Sequence, residues 1–139
     1  MANNYISDLT TPEAIQRIWE KGIIVDGYNA SLYRQDFAGA WISREAYGDT
    51  DNILGWEIDH VYPEELGGGN HIENLRPMNW RNNRSKGTDY PHYTAVVTSE
   101  ENKNIYRDTA CTVSDALQTT LQKLYNICLL YTSPSPRDA

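Results

Sequence analysis

Four side chains in the middle of the chain have the types and spacing to do chemistry. Asp59 and His60 are adjacent, Asn74 follows after thirteen residues, and Asn83 after eight more. Histidine exchanges its proton near neutral pH, so His60 is suited to the work of a general base. Carboxylate and amide oxygens are hard donors, of the kind that hold Mg²⁺ or Mn²⁺ rather than zinc. A single histidine such as His71 or His92 carries no such weight. The four gain theirs from their surroundings, a loop containing Gly67, Gly68 and Gly69 and the run Arg84, Ser85, Lys86, Gly87 directly after Asn83.

Residues 55–91 read GWEIDHVYPEELGGGNHIENLRPMNWRNNRSKGTDYP, about a quarter of the chain, and resemble the HNH endonuclease family. The resemblance implies an α+β fold around a ββα-metal core, with an N-terminal helix and strands and a C-terminal helix flanking it. It implies a general-base role for His60, an orienting role for Asn74, which holds the imidazole and shapes the loop into the second strand, and a metal site made by Asp59 and Asn83. The implied reaction is hydrolysis of phosphodiester bonds in DNA rather than RNA, with the cation absorbing charge on the leaving oxygen. Family members with histidines at the two metal positions offer a softer site. Aspartate and asparagine stand there in this chain, which favours Mg²⁺ or Mn²⁺. Many members also staple the motif with a cysteine-bound zinc, and no paired cysteines flank Met78 or Asn83.

The formal charge of −7 argues against a polyanion partner, because affinity for nucleic acid comes mainly from lysine and arginine. Its distribution qualifies that. Arg76, Arg81, Arg84 and Lys86 lie between Asn74 and Thr88 with no acid among them, so a +4 strip leaves −11 elsewhere. These four are the candidate phosphate contacts, and the plain alternative for them is a solvated helix face.

Several elements must position these residues. Thr10 or Thr11, then Pro12 and Glu13, open a helix whose apolar stripe is Ile15, Ile18 and Trp19 and which Gly22 closes. Residues 23–25 and 38–42 read as short buried strands. Residues 57–61 form a strand ended by Pro63, residues 66–71 a loop, and residues 75–78 a second strand. Asn79 caps a helix over residues 80–86 that Gly87 stops. A strand at residues 93–98, a turn at residues 100–104 and a helix over residues 114–125 complete the body. One geometric demand stands out. Neighbours in a regular strand point to opposite faces, so the first strand must be ending if Asp59 and His60 are to serve one site. The first helix, the 38–42 strand and the last helix are the expected buttress, with Trp56 and Trp80 as packing residues.

Residues 1–127 read as a single domain with its core motif at 55–91. Residues 128–139, CLLYTSPSPRDA, continue no pattern and read as translated adaptor sequence outside the fold. Cys111 and Cys128 make neither a disulfide framework nor a metal spacing, the opening has no signal-peptide pattern, and no segment has the length of a membrane span. The expectation is a cytoplasmic protein in a reducing compartment with no membrane partner. Two rivals share these observations: a noncatalytic nucleic-acid-binding module of the same fold, and an antibacterial toxin nuclease with a small immunity protein as its partner. No recognition helix or zinc finger is legible, so nothing predicts a base sequence preference.

Overall fold

A computed structural model of the protein describes residues 4–127. The proposed adaptor-derived tail and Cys128 lie outside the described residues. Within them, three α-helices and three two-stranded antiparallel sheets make a mixed α+β fold. No helix there is long and apolar enough to cross a membrane.

The first helix, α1 (Pro12–Trp19), starts as its sequence predicts. Thr11 caps it by accepting from the Ala14 amide at 3.1 Å, and Pro12 occupies the first turn. Its buried residues are Ala14, Ile18 and Trp19. The expected strand at residues 23–25 is corrected: Ile23 makes only an isolated bridge to Gln35, and Ile24 is exposed. Three consecutive apolar residues do not distinguish a buried strand from an exposed connection. The pairing strands are instead β1 (Tyr33–Gln35) and β2 (Trp41–Ser43). The turn between them is organised by Asp36, whose Oδ1 accepts from the amides of Ala38 and Ala40.

At the centre lies a hairpin of β3 (Trp56–His60) and β4 (Leu75–Asn79), paired in register from Trp56 opposite Asn79 to His60 opposite Leu75. Directly opposed residues share a face, so the hairpin has two distinct sides. Trp56, Ile58 and Leu75 pack with Ile18 and Trp19 of α1 and Ile42 of β2. Met78, on the other side, packs with Val61, Tyr93, Ala95, Val113 and Leu121. Every residue of β4 is buried. The first helix, the second strand and the last helix, the expected buttress, all pack against the hairpin, and the strand at residues 92–100 joins them on its second side.

Helix α2 (Trp80–Lys86) follows β4 without a break, its N-terminus capped by the Asn79 side chain on the Arg81 amide at 3.0 Å. Gly87, at φ 53°, ends it. A second hairpin, β5 (His92–Glu100) and β6 (Lys103–Thr112), lies against α2. Strand β6 was not legible: most of its residues face solvent on one side or the other, so no alternation marks it. Helix α3 (Asp115–Tyr125) is capped by Ser114 and buries Leu121.

Asn82 joins α2 to β5. Its Oδ1 accepts from the amides of Val96 and Val97, where the β5–β6 register shifts, and its Nδ2 donates to Val97 O and to Asp36 Oδ2. Asp36 Oδ2 also takes the Asn79 amide. Two fully buried side chains thereby tie the first hairpin, the start of α2 and β5 to one another.

Candidate active site

His60 is the last residue of β3, and its side chain is 15% exposed. Its Nε2 lies 2.8 Å from Asn70 Oδ1 and 3.7 Å from Glu64 Oε2. With the amide oxygen of Asn70 facing Nε2, a neutral ring donating from that nitrogen would leave its lone pair on Nδ1. An imidazole fixed at one nitrogen and basic at the other is the arrangement a general base needs.

The residue that holds the ring is Asn70, a correction to the orienting role expected of Asn74. Asn74 is fully buried and works on the loop instead. Its Oδ1 accepts from the Tyr62 amide at 2.7 Å, and its Nδ2 donates to Tyr62 O and Gly69 O, both at 3.0 Å. Its own carbonyl accepts from the Val61 amide. The expectation that Asn74 shapes the loop into the second strand thus describes its contacts well. The loop passes so close to itself that a Cβ on Gly68 would stand 1.8 Å from Tyr62 O, so only glycine fits there. From outside, the Ile6 amide donates to Asn70 O, and the Tyr125 hydroxyl of α3 bonds Gly69 O and His71 Nδ1.

Asp59 faces the other way. It is 2% exposed, with Oδ2 3.1 Å from Arg76 Nε and Oδ1 3.2 Å from Lys86 Nζ. Lys86 Nζ also donates to His60 O at 3.2 Å. Burial pulls the Lys86 ammonium below the ordinary lysine range, and attraction to Asp59 opposes that pull. Arg76 lies between the rings of Phe37 and Tyr93, 5.2 and 5.6 Å from their centres.

Asn83, the other expected metal ligand, donates its Nδ2 to Glu57 Oε1 at 3.0 Å. Glu57 also pairs with Arg84 at 2.8 Å, a bond that raises the guanidinium pKa. The hydrogen bonds of Asn83 and Asp59 go to different partners, Glu57 for one and Arg76 and Lys86 for the other, and no three His, Cys, Asp or Glu among the described residues converge on a metal position. As they stand, Asp59 and Asn83 do not fit a divalent cation. Both oxygens of the carboxylate already face a cation, and a metal ion would meet like charge at each.

The basic strip is also redistributed. Arg76 and Lys86 are 4% and 1% exposed and cannot serve as surface phosphate contacts, a correction to their expected role. A positive charge in the sequence does not reveal that a buried carboxylate will claim it. Arg81 and Arg84 lie on the surface. Trp56 is a core residue, as expected, while Trp80 is half-buried with its Nε1 on Asn52 O.

No family model, curated protein or solved structure matches the chain.

Proposed function

We propose that the protein is a nuclease of the HNH type that hydrolyses phosphodiester bonds in nucleic acid, with His60 as its general base. The observation that carries this reading is the setting of His60: it ends β3, its ring is fixed by Asn70, and the loop behind it is closed by the buried Asn74 before β4 and α2 follow. In this reading Nδ1 takes the proton of the attacking water while Asn70 keeps the ring from turning. Arg81 and Arg84 hold the substrate backbone, and DNA is the substrate that the resemblance implies. The Mg²⁺ or Mn²⁺ requirement implied by the same resemblance finds no ready ligand pair, so no step is assigned to a metal.

A second reading gains from one finding. A noncatalytic nucleic-acid-binding module of the same fold has no use for an uncompensated carboxylate beside a phosphate, and Asp59 is compensated twice. Incubating the protein with supercoiled plasmid in Mg²⁺, in Mn²⁺ and in EDTA, beside His60→Ala, separates the two. Nicking that the variant loses supports the nuclease. Binding without nicking in any arm supports the module.

A further inference from the structure

Arg81 is the one cation of the basic strip whose guanidinium meets no acid among the described residues. Arg76 and Lys86 share Asp59, and Arg84 is held by Glu57. The chain has 19 acidic residues, so a surface arginine left without one is a feature of its placement. Arg81 is held by rings instead. Its Cζ lies 4.4 Å from the centre of the Trp80 ring and 5.3 Å from that of Tyr106. Arg84 stands over Trp80 as well, at 5.7 Å.

Elements on both sides position this cluster. Trp80 is pinned by its indole N–H on Asn52 O. Tyr106 lies opposite Val97 in the β5–β6 register, and α2 packs on β5, with its Arg81 guanidinium reaching the Tyr106 ring of β6. Yet Tyr106 is 65% exposed, the most open large apolar residue described. Aromatic faces orient a guanidinium while leaving its N–H edges open, and those edges match a phosphate. An exposed tyrosine ring stacks on a base, but only on one whose face is bare, because a duplex covers both faces of every internal base.

We propose that Tyr106, Arg81 and Trp80 form a docking surface for single-stranded nucleic acid, with Arg81 taking a phosphate and Tyr106 a neighbouring unpaired base. The proposal rests on the nucleic-acid part of the reading above and not on cleavage, so the two can fail separately.

Binding of a short fluorescein-labelled oligothymidine to the full chain in EDTA at low salt, followed by anisotropy, tests it, with a duplex of equal length as comparison. The single strand binds more tightly than the duplex. Tyr106→Ala weakens the single strand about tenfold and leaves the salt slope unchanged. Arg81→Ala lowers the salt slope by about 0.7, the amount expected for one lost phosphate contact. Arg81→Lys restores the slope without the full affinity, since lysine keeps the charge and loses the stacking. Equal affinity of Tyr106→Ala and the unaltered protein, or a duplex bound as tightly as the single strand, overturns the proposal. So does a failure to bind the oligonucleotide. Plasmid nicking by Tyr106→Ala at the normal rate alongside intact oligonucleotide binding also overturns it while sparing the nuclease. Tight single-strand binding with no nicking in any metal does the reverse. Circular dichroism of each variant confirms that it is folded.

Discussion

Lys86 Nζ lies 3.2 Å from Asp59 Oδ1 inside the protein, and Arg76 occupies the other oxygen of the same carboxylate. Two buried cations thus depend on one anion. Removing it leaves both uncompensated, and breaking a buried pair costs about 3–5 kcal/mol. Asp59→Ala is therefore expected to lower stability by about that much in urea unfolding at neutral pH. Lys86→Met leaves Arg76 and Asp59 as a balanced pair and is expected to cost much less. A surface metal ligand would give the opposite pattern, with Asp59→Ala stable and only activity lost.

The loop behind His60 hangs on Asn74, whose amide makes three hydrogen bonds to Tyr62 and Gly69. Asn74→Asp keeps the acceptor for the Tyr62 amide but sets an oxygen against two carbonyls. It should destabilise by about 2–4 kcal/mol, since each buried polar group left unpartnered costs about 1–3 kcal/mol. Hydrogen exchange at the Val61 and Tyr62 amides would show whether the loop loosens first. Unchanged protection there would refute this account.

Adjacent asparagines should behave differently. Asn82 is fully buried and its side chain makes four hydrogen bonds, whereas Asn83 is half-buried and donates once, to Glu57. Asn82→Ala orphans two strand amides and should cost about 3 kcal/mol or more, while Asn83→Ala should cost under about 1 kcal/mol. Thermal melts of the two variants check the ranking.

Lys21 gives the fold a pH dependence. Burial, then Arg76, lowers its pKa from 10.5 to about 8, with Glu73 opposing. Its ammonium donates to Ile72 O and Leu75 O beneath β4. Between those two pKa values the unfolded chain binds a proton that the folded chain has released, so stability rises with pH across that window and is lowest below it. Buried Lys86 shifts in the same direction. Tyr93, raised to about 12 chiefly by burial, works against the fold once pH passes the ordinary tyrosine value of 10. Denaturation midpoints from neutral pH to about 9.5 should climb for the unaltered protein. They should climb less for Lys21→Met.

How much of this was legible depended on whether a residue's partner lay nearby in sequence. A threonine cap at residue 10 or 11, the cap at Asn79 and the stop at Gly87 are local, and the sequence predicts them, while the strand expected over residues 57–61 lies one residue earlier, at Trp56–His60. Strand β6 carries no apolar alternation because residues on both of its faces are open to water, and residues 23–25 have an apolar run that makes only one bridge, at Ile23. Around the candidate site, the spacing of His60 and Asn74 drew attention to both, and the loop contacts of Asn74 match what the resemblance implies. The grip of Asn70 on His60 could not, since it depends on how the loop folds back ten residues later. Nor could the capture of Arg76 and Lys86 by Asp59, which crosses between two strands and a helix. The strand geometry posed the question of how Asp59 and His60 could share a site. Their partners give the answer that they point to different ones.

The central hairpin is a party wall. Because α1 and β2 pack on one side of β3 and β4 while β5 and α3 pack on the other, neither half of the molecule owns it. Residues 55–91 are for that reason not a portable cassette: transplanted by themselves, they would offer Trp56, Ile58 and Leu75 to water on one side and strip the cover from Met78 and the Asp59–Arg76–Lys86 cluster on the other. Evolution or a protein engineer seeking to move this motif has to carry both neighbours with it, and heat or urea should bring down both rooms in a single transition.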